Sequence, residues 1–312
     1  MSTVSDTTHQ SAVAVSARPA PSPGDGLSPA ELAAKHGLSV SGARPPLPEY
    51  VRQLWGRRHF IVAYSVARLT AQYTNARLGQ IWNVLTPMFN AAVYFLIFGV
   101  LMEQSRGIDN FLAYLVIGVF VFNFTQSAIL AGTRSISDNL GLIRALHFPR
   151  GCLPISITLI QLQQLLYSLI VLVSIVLMTG EPLGMRWLLI IPALLLQCVF
   201  NIGCAMFVAR LGSEVTDVAQ LMPFLLRTWM YLSGVMYSIA KVKPHLPGFF
   251  GVLLEFNPAA VYIDVMRYAL MSSVTSEQLP HHVWFAALWW AVFAGIGGFV
   301  FFWKAEERYG RG

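Results

Sequence analysis

Apolar positions along this chain form long unbroken runs separated by short polar connections, a pattern that neither a surface helix nor a half-buried strand requires. A helix crossing a bilayer needs about 20 apolar residues, rising 1.5 Å each, to pass through ~30 Å of hydrocarbon. Within that core every backbone N–H and C=O must be satisfied inside the segment, so such runs are expected to be helical. Five qualify: Gln80–Met102, Phe111–Leu130, Cys152–Met178, Trp187–Val208 and Val283–Trp303. A sixth, Ala219–Ala240, is apolar except for Arg227. The pattern therefore predicts an all-α integral membrane protein with six transmembrane helices. Between the last two runs, Pro244–Ser273 is apolar but broken by Pro247, Gly248 and Asn257-Pro258. Its two pieces, each about 12 to 15 residues, are too short to span, and the stretches Leu246–Leu254 and Pro258–Met271 within them are expected to form a re-entrant helical pair. Asn257 is placed to cap the second piece, with Pro258 at its first helical position.

Ahead of the first run, Tyr50–Leu78 carries a helical rather than a spanning pattern. At 100° per residue, Arg57, Tyr64, Arg68, Gln72 and Asn75 share one side, while Trp55, Val62, Val66, Leu69 and Tyr73 fall roughly opposite. A helix with arginines on one face and Trp, Val and Leu on the other is suited to lie in the membrane interface. The expected organisation is a disordered cytoplasmic tail over 1–49, an amphipathic interface helix over 50–79, a transmembrane domain over 80–308 and a cytoplasmic C-terminus over 309–312. The tail carries no apolar run of the kind a cleavable leader needs. Its Ser28-Pro29-Ala30-Glu31 capping box, with Leu27 and Leu32 placed as a staple and Gly37 as a stop, predicts one helix of about two turns.

Composition agrees: 55% of residues are hydrophobic and only 12% charged, with a mean hydropathy of +0.58. Charge fixes the orientation. With the N-terminus inside, fifteen of the 21 lysines and arginines lie on the cytoplasmic side and five outside (Arg106, Arg186, Lys241, Lys243, Arg267), with Arg227 left within a span. That bias is the one the positive-inside rule asks for, and it accounts for a net charge of +6 without nucleic acid.

Chemistry-bearing motifs are sparse. None of the lysines sits in a GxxxxGK[ST] loop, and no HExxH or GxSxG appears. Gly295, Gly297 and Gly298 lie inside the last run and read as close helix packing. The cysteines, Cys152, Cys198 and Cys204, have no CxxC spacing and read as small core residues. His281-His282 is expected at the surface. With almost no ionisable residue at mid-membrane, an ion-coupled carrier is disfavoured, and energy is expected from a separate subunit.

Three blocks then carry a resemblance. Arg68, Tyr73, Leu78-Gly79-Gln80-Ile81-Trp82 and Pro87 look like an amphipathic helix and first-span signature. Asn139-Leu140-Gly141-Leu142-Ile143-Arg144-Ala145-Leu146-His147-Phe148-Pro149-Arg150 looks like a cytoplasmic loop, and Asn257-Pro258-Ala259-Ala260, Asp264 and Arg267-Tyr268 like an external segment. Over about Val51 to Arg308 the chain resembles the transmembrane (permease) subunits of polysaccharide ABC exporters of the O-antigen and teichoic-acid type, which have the type-2 ABC exporter fold. Two departures are visible: a single cation at Arg144-Ala145 where a basic pair is usual, and Ala76-Arg77 before Leu78-Gly79.

The resemblance implies a homodimer in the bacterial cytoplasmic membrane, paired with two copies of an ATP-binding subunit. ATP and Mg would be bound by that partner, with no cofactor in this chain. The cargo would be a lipid-linked glycan of the O-antigen, teichoic-acid or cell-wall galactan type. Coupling to the ATPase would run through Asn139, Leu142, Arg144, His147, Phe148, Pro149 and Arg150. Asn257, Pro258, Asp264 and Arg267 would form an external gate. Aromatic faces suit sugar rings, which makes Trp82, Phe89, Phe122, Trp229, Tyr231 and Tyr237 candidates to line a conduit, together with Arg227 as a phosphate contact. Two other readings compete: a type-2 exporter of a drug or lipid, and a membrane-embedded glycosyl- or acyltransferase. The second would need converging carboxylates or histidines that the spans do not offer.

Overall fold

The computed structural model describes residues 44–73, 81–101, 108, 110–277, 279–280 and 282–309. The short helix expected at Ser28 and the segment 74–80 lie outside the described residues. All regular structure among the described residues is helical: α1 (Leu47–Gly56), α2 (Arg58–Tyr73), α3 (Trp82–Tyr94) continuing as a π-helical stretch (Phe95–Leu101), α4 (Phe111–Thr133), α5 (Leu140–Ala145), α6 (Cys152–Met178), α7 (Ile190–Glu214), α8 (Val218–Leu232), α9 (Ile239–Val242), α10 (Gly248–Glu255), α11 (Pro258–Leu270) and α12 (Val283–Trp303).

Among the described residues, four helical stretches are long and apolar enough to cross a membrane: α4, α6, α7 with its leading 3-10 turn from Met185, and α12. α10 and α11 form a pair bent by 63° at Phe256-Asn257. α4 is the centre of the bundle. It is predominantly apolar and packs against α3, α6, α7, α8 and α11, which is why its side chains are the most buried of the four.

α7 and α12 make the closest pairing, and glycine is the reason. A Cβ on Gly298 would come 1.9 Å from the Gly203 carbonyl oxygen, and one on Gly203 would come 2.1 Å from that of Ala294. Gly132 against Ala205, and Gly212 against Thr133, give α4 and α7 the same intimacy. The glycine cluster of the last span thus packs helices, although Gly297 faces open space.

Three expectations are corrected. The helix preceding the first span is not continuous from Tyr50. It begins at Leu47, where Pro46 and Pro48 fix the opening turn, and it breaks at Arg57 into α1 and α2. The apolar side of α2 is also split: Val62 and Val66 are exposed, whereas the stripe Ile61, Ser65 and Leu69 is buried against α6. The run Ala219–Ala240 is not one helix. α8 stops at Leu232, 15 residues or ~22 Å long, because Gly234 takes φ +63° and the Gly234 and Val235 carbonyls are drawn to Arg267.

Candidate functional site

On the side where Arg44 and Pro45 meet Trp303 and Glu307, α5 stands out from the bundle on a clamped base. The last turns before α6 and the end of α12 are joined by Glu306, which is almost fully buried. Its Oε2 accepts from Tyr50 Oη (2.9 Å) and its Oε1 from the Arg150 backbone N–H (2.8 Å). The Arg150 guanidinium donates to the Glu306 carbonyl, and Gly151 N–H donates to Tyr50 Oη (3.0 Å). Burial pushes the Glu306 carboxyl above the usual carboxylate range, and the hydrogen bonds from Arg150 and Tyr50 oppose this. Nearby, Trp303 Nε1 donates to the Pro45 carbonyl, and the Arg44 guanidinium lies 4.4 Å over the Trp303 ring.

The coupling candidates divide on this frame. Asn139 is buried: its Oδ1 accepts from Tyr64 Oη of α2 (2.8 Å), and its Nδ2 donates to the Ser135 carbonyl (2.8 Å). Phe148 packs on Phe60 of α2, 5.3 Å between centroids, and Pro149 is buried. Leu142 is half-buried. Arg150 belongs to the Glu306 knot. Outward-facing are Gly141, Arg144, Ala145, Leu146 and His147. The loop is thus an exposed knob whose roots bind α2, α6 and α12.

At the opposite end, Arg267 is the largest fully buried side chain. Its Nε and Nη2 donate to the Tyr114 carbonyl (3.2 Å each), Nη2 to that of Val235 (2.9 Å) and Nη1 to that of Gly234 (3.1 Å). Its guanidinium carbon sits 3.3 Å from the Tyr114 ring centroid, and Asp264 Oδ1 lies 3.4 Å from Nη1. The charge balance counted Arg267 among the external cations; the structure makes it a core tie between α4, the turn after α8 and α11. Asn257 does cap α11, accepting from Ala259 N–H (3.1 Å). The same Oδ1 accepts from Trp229 Nε1 (2.8 Å), and its Nδ2 donates to the Leu232 carbonyl (3.1 Å). The α10–α11 bend is therefore pinned to the end of α8. Alongside, Glu181 accepts from Ser272 N (2.7 Å), Ser272 Oγ (2.8 Å) and Asn110 Nδ2 (3.0 Å). Burial resists its ionisation, but these bonds outweigh it and hold the carboxyl below its usual value.

Between these ends, a cleft of about 390 Å³ opens between α3, α4 and α6. Trp82, Thr86 and Asn90 contribute from α3, Phe120, Asn123, Phe124, Gln126 and Ser127 from α4, and Gln161, Gln164, Leu165 and Ser168 from α6. None of these lining residues is ionisable. Each helix supplies its polar groups at i, i+3, i+4 or i+7, hence from one face. Asn123 and Gln126 lie 7 to 10 residues from the Thr133 end of α4, about 10–15 Å along the axis. Gln161 lies 9 residues from the Cys152 end of α6, about 14 Å along it. The cleft is thus near mid-depth of the spans.

Of the conduit candidates, only Trp82 lines this cleft. Phe122 is buried, edge-on to Trp229 at 6.0 Å. The Tyr237 carbonyl accepts from Tyr114 Oη (3.1 Å). Phe89, Tyr231 and Arg227 are exposed. Arg227 makes no hydrogen bond or ion pair with another described residue, although Tyr94 is within its electrostatic reach. The amides of the cleft were not singled out from the sequence. The signal was there, as polar side chains at helical spacing within otherwise apolar runs.

A bundle of long apolar helices with a bent helical pair and a projecting clamped loop has the build of a multi-pass membrane protein. The family model described as "ABC-2 type transporter" matches residues 61–271, and the chain belongs to that family. It is similar to the O-antigen export system permease protein RfbA of Myxococcus xanthus, 25% identical over 208 residues, covering 67% of this chain and 78% of the relative. A Klebsiella pneumoniae protein of the same name is 22% identical over 221 residues, with 70% and 83% covered. The polysialic acid transport protein KpsM of Escherichia coli is 23% identical over 220 residues, with the same coverage.

Proposed function

We propose that this chain is the permease of an ATP-driven exporter that moves a lipid-linked polysaccharide across the bacterial cytoplasmic membrane. It works as a homodimer with two copies of a separate ATP-binding subunit, which holds ATP and Mg. Both termini are cytoplasmic. The chain crosses six times, by α3 with its π-helical continuation, α4, α6, α7, α8 with the turn beyond it, and α12. α1 and α2 lie along the inner interface, where Trp55, Val62 and Val66 meet lipid. α10 and α11 form a re-entrant pair at the outer face. The polysaccharide cargo is the class named for the relatives that cover most of this chain.

The observation that carries the reading is the exposed α5 knob on its buried base. An ATPase pushing on Arg144, Leu146 and His147 moves a loop that cannot yield locally. Asn139 ties it to α2, and the Arg150–Glu306–Tyr50 knot ties it to α1 and α12. The displacement is therefore passed to the spans. The double variant Arg144→Ala, Phe148→Ala is expected to keep membrane insertion and ATP hydrolysis by the complex but to lower export at least tenfold. Export and ATPase co-purification both at wild-type levels would remove this loop from coupling.

A further inference from the structure

The α3–α4–α6 cleft poses an energetic problem that the fold alone does not solve. Asn90, Asn123, Gln126 and Gln161 line it within membrane-spanning helices, and none makes a side-chain hydrogen bond to another described residue. A primary amide left without partners in an apolar medium costs on the order of 2–7 kcal/mol, and a bilayer core supplies no water to relieve it. Thr86 shows the alternative open to such groups, turning its hydroxyl back onto the Trp82 carbonyl (3.0 Å). The four amides instead converge on one open space, from three helices. The volume, about 390 Å³, is within the range of ~300–1,000 Å³ usual for small-ligand clefts.

The lining also specifies what fits. Each amide offers two N–H donors and a carbonyl acceptor, matching hydroxyl groups that both donate and accept. Trp82, Phe120 and Phe124 add flat apolar faces beside them. None of the described lining residues carries charge, so a carboxylate or phosphate placed in this cleft would meet no cation among them to offset its desolvation.

We propose that the cleft between α3, α4 and α6 is a saccharide-binding site that takes an uncharged, hydroxyl-rich stretch of glycan. The inference rests on the polysaccharide-export reading and narrows it. Hydroxyls satisfy the amides, ring faces lie on the aromatic side chains, and charged portions of a cargo are excluded. Because the amides gain nothing from the protein itself, apolar replacements of similar shape relieve an unmet polar group.

The test uses the full chain co-purified with its ATP-binding subunit in nanodiscs, with maltoheptaose as the neutral probe and an oligogalacturonate of equal length as the anionic one. Saturation-transfer NMR is expected to detect maltoheptaose and to give at least a fivefold weaker signal for the oligogalacturonate. Asn123→Leu and Gln161→Met should each reduce the maltoheptaose signal about fivefold or more while the thermal unfolding midpoint holds or rises. Equal signals in wild type and variants, no maltoheptaose signal, or a fall in the midpoint of both variants would overturn the site. Comparable binding of the two probes would overturn its preference for neutral sugar. Failure of the export reading itself is seen elsewhere: depleting the chain in its host would then leave no lipid-linked glycan trapped on the cytoplasmic side.

Discussion

Arg267 shows how far one residue's role can lie from its place in the sequence. It follows a broken apolar segment and has an acidic residue three positions before it, as a surface ion pair would. In the fold its guanidinium instead donates to three backbone carbonyls, that of Tyr114 on α4 and those of Gly234 and Val235 in the turn after α8, which no helix satisfies. Five fixed donors on a planar group suit that task, whereas a lysine ammonium would reach fewer of the three. Gly118 leaves the room, since a Cβ there would lie 2.8 Å from Nη2. Removing the guanidinium leaves buried carbonyls unpaired, at a cost of about 1–3 kcal/mol for each group left without a partner. Arg267→Met is therefore expected to lower the thermal unfolding midpoint in detergent sharply, with Arg267→Lys intermediate. A methionine variant as stable as wild type would mean that the carbonyls find water or lipid headgroups instead.

Whole elements were easier to read than their ends. Length and hydropathy alone located α6 and α12 at their observed ends and α4 to within three residues, and found α7 with its far end six residues short, because a bilayer allows little else. Asn257-Pro258 announced the start of α11 for an equally local reason. What could not be read was anything set by a neighbour. α8 ends at Leu232 because a distant arginine takes the next carbonyls, and Ser65 is buried on α2 because Gln163 of α6 donates to it at 3.1 Å. The amide cleft escaped notice for the same reason, since each helix shows only two or three of its polar groups.

The glycines of α12 illustrate the limit. A run containing Gly295, Gly297 and Gly298 announces close packing but not which glycine makes it. Only the positions facing α7 are constrained, and Gly297 is turned away. Gly298→Ala would drive its Cβ into the Gly203 backbone, and overpacking of this kind costs ~1–3 kcal/mol or more. Gly297→Ala meets nothing within 4 Å and gains up to ~1 kcal/mol of helix propensity. Unfolding midpoints should therefore move in opposite directions for these neighbouring changes, down for Gly298 and unchanged or up for Gly297.

At the scale of the whole molecule, the most telling surface is that of α8. Its buried side, Leu226 and Met230, lies on the bundle, while Leu221, Phe224, Leu225, Arg227, Thr228 and Tyr231 face away from it. A lone guanidinium on an apolar face is expensive in lipid, by at least ~2.5–3.5 kcal/mol at the centre of a span. The cost falls away if a second copy meets this face and the two arginines look into a hydrated seam. In a background where the three free cysteines are replaced by serine, cysteine at Leu221, Phe224 or Thr228 is then expected to yield an oxidised dimer at one position or more. Cysteine at Ile170, exposed on α6, serves as the lipid-facing control. Arg227→Leu should leave that cross-link intact and cut export at least tenfold, and Arg227→Lys should be partly impaired because a point charge cannot replace a bidentate fork on phosphate. Cross-linking only at Ile170 would move the seam to α6. Wild-type export by the leucine variant would leave Arg227 as a side chain that snorkels to the headgroups.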